Sequence, residues 1–343
     1  MKRKIGMLAV VGMALAGCGA QSVTATPAGT SPPSSAAKLD VAMLLAGSAS
    51  DGGFMESGFK GLQRAHDELG VNISYKEGVK PDKAALESAL EELAGSGVDM
   101  VIAHGGQNAE AAKVVAQRFP DTKFVVTQAN VTGSNLSSYE VLQEESAWLA
   151  GAAAGLLTKT NVVGHMSGIR PIPGLKGRAA FVDGVAHTSP TAKVLTNFSG
   201  DQDNVELSRK IALAEINEGA DYIFTMLNAG RPGVAQAIEE TGRARQFGNV
   251  RDFTQDDPKV FAGSAIADSG AAAYAAVEDL VDGSFQGGTS HHIGLEDPSA
   301  VRLTLSEDIP QTVKARIDEL SAKIVADEIT VKTDYSGPEF DVK

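Results

Sequence analysis

The chain has 343 residues, a net charge of −13 at neutral pH, 43% hydrophobic and only 5% aromatic residues. The acidic balance argues against nucleic acid as a partner and against adhesion to anionic lipid, since both demand basic patches. Cys18 is the only cysteine, so no disulfide supports the fold and stability must come from a large core.

Lys2, Arg3 and Lys4 precede an apolar stretch, Ile5 to Ala16, that is too short to span a bilayer as a helix. Leu15-Ala16-Gly17-Cys18 closes it in the pattern of a bacterial lipoprotein signal. Residues 1–17 are therefore expected to be removed and Cys18 lipidated, leaving the protein extracytoplasmic and anchored to the cell membrane. Gly19 to Ala37 is almost wholly Gln, Ser, Thr, Ala, Pro and Gly, so 18–38 reads as a lipidated cysteine followed by a disordered tether.

A regular alternation follows. Val41 to Leu45 reads as a strand, Met55 to Leu69 as a helix, Val71 to Tyr75 as a strand and Leu86 to Leu93 as a helix. Met100 to Ala103, Ala109 to Phe119 and Phe124 to Thr127 continue as strand, helix, strand. After a polar, strand-poor stretch at 133–139 a second series begins. Its helices are predicted at 145–157, 179–187, 205–217 and 233–240, and its strands at 162–166, 194–198 and 222–227. Ala262 to Ile266 is a further strand, Ala271 to Val281 a further helix, and short strands and a helix from Val313 to Ile324 end the chain. Strands alternating with helices imply an α/β fold with parallel sheets, and two series in tandem imply two lobes with a cleft between them.

Catalytic signatures are absent: there is no G-x-S-x-G elbow, H-E-x-x-H pair, Walker loop or G-x-G-x-x-G after a strand. His291 and His292 are adjacent and diverge, which makes a poor metal pair. No enzyme, metal or cofactor is expected.

Ligands of parallel sheets bind beyond the carboxyl ends of the strands, here the loops after Leu45, Ala103, Thr127, Met166, Phe198, Leu227 and Val250. The first of these carries Ser48, Asp51, Gly53 and Phe54. Phe54 reads as a stacking platform, with a hydrophobic staple onto its helix as the alternative. His104 and Gly105 open a glycine-rich loop that permits close approach of a ligand, or serves the loop alone.

Asp51-Gly52-Gly53-Phe54, the segment Glu145-Ser146-Ala147-Trp148-Leu149-Ala150-Gly151 and Asn217-Glu218-Gly219-Ala220-Asp221-Tyr222-Ile223, together with the lipoprotein signal, resemble the basic membrane protein family of substrate-binding lipoproteins, which includes purine-nucleoside receptors. The resemblance runs from about Leu39 to beyond Gly283. It implies a type I periplasmic-binding fold with three hinge crossovers, an ABC permease as partner, a purine nucleoside or nucleobase as ligand, and a monomer. It places the first lobe at 39–140 plus 254–288 and the second at 141–253 plus 289–343. It also implies a purine held between Phe54 and Phe198, a sugar diol read by Asp252, whose alternative role is to cap its loop, and a pocket closed by the turn at Asn228 and Gly230. Arg170, before Pro171-Ile172-Pro173, either donates to a ligand oxygen or pairs on the surface.

Three positions depart from nucleoside-binding members. Met55 stands where they carry Asn, Ala267 where they carry Lys, and Thr127-Gln128 where some carry a carboxylate. Such losses should change which ligand is accepted. A binding lipoprotein that feeds a signalling receptor, one that takes a sugar or amino acid, and a secreted nucleoside hydrolase stand as alternatives.

Overall fold

The computed structural model describes residues 38–342; the signal segment, Cys18 and nearly all of the tether lie outside the described residues. In chain order the elements begin β1 (Asp40–Leu45), α1 (Phe54–Leu69), β2 (Asn72–Lys76), α2 (Lys83–Gly95), β3 (Met100–His104), α3 (Ala109–Ala116), β4 (Lys123–Thr127) and β5 (Leu136–Val141). They continue with α4 (Gln143–Leu157), β6 (Val162–Ser167), α5 (Ile172–Thr188), β7 (Lys193–Phe198), α6 (Val205–Asn217), β8 (Tyr222–Met226), α7 (Arg231–Thr241) and β9 (Arg245–Val250). The last are β10 (Phe261–Ala267), α8 (Ser269–Asp282), β11 (Ser290–Ile293), β12 (Val301–Leu305) and α9 (Gln311–Val325).

Two six-stranded sheets result, in the orders β11-β5-β4-β3-β1-β2 and β12-β10-β9-β8-β6-β7. Every pairing is parallel except β10 with β12. The chain passes between the sheets three times: at Leu142, at Asp268, and between β11 and β12. These crossings are bonded to one another, since the Leu142 N–H donates to Ile293 O (2.8 Å) and the Asp268 N–H to Ala300 O (2.9 Å). The three crossings thus form one bonded segment between the two sheets.

The sheet order corrects the expected lobe limits. β10, inside the 254–288 stretch assigned to the first lobe, pairs with β9 of the second sheet. β11, inside the stretch assigned to the second lobe, pairs with β5 of the first. The second and third crossings thus lie at 268 and 294–300, later than placed. β5 itself falls in the stretch read as strand-poor, yet all six of its residues are buried. Its polar side chains are satisfied by distant groups: Ser137 Oγ donates to Gln286 O (2.6 Å), Ser138 Oγ to Ala129 O, and the Tyr139 hydroxyl to Asp279 (2.6 Å).

α5 starts at Ile172, seven residues before its first predicted residue, because Pro173 is tolerated in a first turn and Gly174 and Gly177 blur the apolar period. Two other glycines, Gly151 and Gly184, join α4 to α5. A Cβ on Gly151 of α4 would stand 2.1 Å from Phe181 O of α5, and one on Gly184 of α5 would stand 2.0 Å from Trp148 O of α4. Backbone contact at that distance leaves no room for any side chain. Trp148 is fully buried beside the crossing and its Nε1–H donates to Asp183 (2.9 Å).

Beneath the second sheet, Glu215 is fully buried with one bond, from Asn197 Nδ2 to Oε1 (2.8 Å), and its Oε2 has no partner among the described residues. Burial raises its carboxyl well above the ordinary 4.5. A raised folded value stabilises below the unfolded value and loses that stability as pH rises through the folded one. Glu215→Gln should therefore flatten the loss of stability between pH 5 and 8 and raise Tm at pH 8 by about 2 °C, what roughly 1 kcal/mol is worth in a large domain. Calorimetric scans of both proteins across that range check this, and a variant that melts below wild type at pH 8 contradicts it.

Candidate functional site

α1 begins at the floor of the cleft between the lobes. Asp51 holds the turn before it: Oδ1 accepts from the Gly53 (2.8 Å) and Glu56 (3.1 Å) N–H groups, and Oδ2 from Met55 N–H (3.2 Å). Burial nonetheless raises the Asp51 carboxyl above its ordinary 3.8. The Phe54 ring lies on His104, centroids 4.3 Å apart and planes 20° off parallel. His104 is fully buried and is fixed at both nitrogens. Nε2 donates to Phe54 O (3.0 Å), and Nδ1 accepts from the Thr127 hydroxyl (2.9 Å). Burial depresses this imidazole from 6.5 to about 4, so it is neutral at pH 7. One Phe54 face is thus covered by His104, and the ring also lines the cleft. The hinge supports the same turn, since Ser269 Oγ donates to Phe54 O (3.2 Å) and Ser57 Oγ to Asp268 Oδ1 (2.7 Å).

From the second lobe, Arg231 Nη2 donates to Gly52 O (3.0 Å) and Asn228 Oδ1 lies 3.5 Å from Phe54 N. The cleft encloses about 120 Å³. Phe54, Met55, Ile169, Pro171, Pro173 and Met226 give it apolar walls, while Gln107, Gln143, Gln202, Asn228, Asn249 and Ser167 supply polar groups. None of its lining residues is charged. Gln202 Oε1 and Asn249 Oδ1 are buried with no partner among the described residues, which costs free energy unless a ligand or water completes them.

Val250 lines this cleft and also a second chamber of about 230 Å³, bordered by Gly52, Gly53, Asp252, Asp268, Arg251 and Arg302 among others. Its φ of +71° is costly for a β-branched residue, and such strain concentrates at functional sites.

Of the residues singled out from sequence, Phe54 and Asn228 line the cleft, and Gly53 and Asp252 line the chamber. The others stand elsewhere. Ser48 is exposed and bonds Ser50 (3.1 Å). Asp51 and His104 brace the α1 turn, and the Gly105 N–H donates to Thr127 Oγ1 (2.9 Å). Gln128 is buried and exchanges two bonds with the backbone of Val141. The Gly230 N–H donates to Gln202 O (3.0 Å), where a Cβ would press on the backbone at 2.8 Å. Phe198 lines neither space: the Arg170 and Arg178 guanidinium groups stand 4.4 and 4.9 Å from its ring centre, and Arg170 pairs with Glu339. The expected aromatic sandwich is therefore not what lines the cleft. Of the five cleft amides only Asn228 was singled out; Gln107, Gln143, Gln202 and Asn249 were missed individually, although the rule that sites sit beyond strand carboxyl ends pointed to the loops of Gln107 and Gln202.

The family model described as ABC transporter substrate-binding protein PnrA-like matches residues 38–334. The chain is 26% identical over 280 residues to the transcriptional activator protein med of Bacillus subtilis, covering 82% of this chain and 86% of that one. It is 25% identical over 305 residues to basic membrane protein A of Borreliella burgdorferi, covering 87% and 89%. A solved solute-binding protein of an ABC transporter system from Aeropyrum pernix superposes with a TM-score of 0.77 at 22% identity, over 87% of this chain and 94% of that one.

Proposed function

Because the chain belongs to the Bmp family of PnrA-like ABC transporter substrate-binding proteins, we propose that its cleft captures a small uncharged heterocycle, a purine nucleoside or nucleobase, and delivers it to an ABC permease. The observation that carries this is the cleft lining: one aromatic ring, apolar walls and five side-chain amides without a single charge. A flat base stacks on Phe54 and satisfies amides with the donors and acceptors on its edge. An amino-acid zwitterion or a phosphate would be buried there without a counter-charge, which is expensive. For a nucleoside, the sugar would extend past Val250 into the chamber with Asp252. That carboxylate already accepts from the Thr254 N–H (2.8 Å) and hydroxyl (2.7 Å) through Oδ1, and Oδ2 remains for a diol.

A solute touching both lobes favours the closed arrangement, because only differential contact shifts such an equilibrium. The Arg231–Gly52 bond is part of what opening would break. Lipidation at Cys18 would hold this receptor at the outer face of the cell membrane, beside its permease, and the protein would act as a monomer.

The test is a thermal-shift series on protein lacking residues 1–18, unfolded and refolded to strip bound solute. Adenosine, guanosine or a free base should raise Tm by several degrees, and amino acids should leave it unchanged. A response confined to sugars or amino acids rules the heterocycle out.

A further inference from the structure

Past residue 334, where the family match ends, the chain lies along the second lobe. The Phe340 N–H donates to Thr196 O (2.7 Å) on β7, the outermost strand of the second sheet, and Phe340 and Val342 pack against that lobe's core. Between these anchors and the cleft stands Glu339. Its Oε1 accepts from Arg170 Nη1 (2.8 Å) and Arg178 Nη1 (2.7 Å), and its Oε2 from Arg170 Nη2 (2.5 Å). Both guanidinium groups lie over Phe198, and Arg178 also faces the Tyr335 ring at 4.8 Å.

Arg170 belongs to the segment 169–174, of which Ile169, Pro171, Pro173 and Gly174 line the cleft. Burial holds that segment only in part: Ile169 and Ile172 are 44% and 55% exposed, Pro171 and Pro173 half-buried, and Gly174 buried. Residues 172–174 are held by the first turn of α5, with the Leu175 N–H donating to Pro171 O (3.1 Å), and what attaches the preceding residues 169–171 is the fork of Arg170 on Glu339 and its stack on Phe198. Arg178 is only 7% exposed, so its pairing with Glu339 is not a surface ion pair of negligible worth: without Glu339 a nearly buried charge loses its partner.

We propose that Glu339 is a positioning residue for the solute site: the carboxyl-terminal tail clamps Arg170 and Arg178 onto Phe198, keeps that ring out of the cleft, and fixes the 169–174 wall that faces the solute. This rests on the solute-binding reading of the cleft, so the experiment has one arm that needs no ligand.

In that arm, hydrogen–deuterium exchange of Glu339→Ala is compared with wild type in the absence of solute. The amides of Gly168, Ile169, Arg170, Ile172 and Gly174 should exchange faster in the variant while β6 and β8 stay protected. Arg170→Ala, at an exposed side chain, should reproduce the change, and the double variant should add nothing. In the second arm, titration with adenosine, guanosine and their free bases should show affinity falling about fivefold in Glu339→Ala, the cost of ordering a loosened wall on binding. Unchanged exchange at 168–174 overturns the clamp. Faster exchange with unchanged affinity overturns the role in binding. Should wild type bind none of these solutes, the function reading fails on its own, and the exchange comparison alone decides the clamp.

Discussion

Gly184→Ala is expected to lower Tm by about 5 °C, from a net loss of about 2 kcal/mol. The substitution should help by local criteria, since alanine in a helix interior is favoured over glycine by about 1 kcal/mol. The magnitude that wins is steric. The new Cβ would meet Trp148 O at 2.0 Å and Ala152 N at 2.9 Å, both backbone atoms, so no rotamer change relieves the clash. α4 and α5 must separate, and the fully buried Trp148 loses packing on that side. Gly95→Ala provides the contrast. Gly95 ends α2, and a Cβ there meets nothing within 4 Å, so only the propensity gain remains and Tm should hold or rise. Calorimetry on the two variants separates the effects, and equal behaviour would mean that the α4–α5 contact is not the tight crossing described.

Phe54→Ala should weaken solute binding at least about tenfold, as loss of a stacking face worth roughly 1–3 kcal/mol requires. The ring is held from behind by His104, so its orientation is set before any ligand arrives and little is lost to ordering it. Phe54→Leu keeps apolar area but no π-face, so the gap between the leucine and alanine variants isolates stacking from burial. Phe198→Ala should cost less than Phe54→Ala, because that ring carries the two arginines rather than a cleft wall. Titration calorimetry with the best solute gives all three numbers. A Phe198→Ala loss as large as that of Phe54→Ala would restore the aromatic sandwich and remove the single-ring site.

The sequence was informative where the physics is local. Apolar residues at helical or strand spacing marked most elements, because burying one face of a helix or strand writes its period into adjacent residues. The alternation of elements implied parallel sheets, and parallel sheets implied a site at their carboxyl ends, which reached Phe54 and Asn228. It was silent where a residue's environment comes from far along the chain. Leu136 to Val141 reads as polar because Ser137, Ser138 and Tyr139 find their partners at Gln286, Ala129 and Asp279. For the same reason β10 and β11 were assigned to the wrong lobes: a strand's period says that it joins a sheet, but not which one.

The candidate site divides along the same line. His104 and Gln128 look like ligand groups in sequence, being polar and placed at strand ends. Their hydrogen bonds, to Phe54 O and to Val141, turn them into internal braces. Phe198 looks like the second aromatic wall until Arg170, Arg178 and Glu339 close around it. By itself the sequence determined the class of fold, the acidic and single-cysteine character and the aromatic at the start of α1. Only the tertiary structure decided that the cleft is uncharged, because its amides come from loops, a helix start and a strand end separated by tens of residues, and their shared neutrality exists only once both sheets have formed and the lobes face each other.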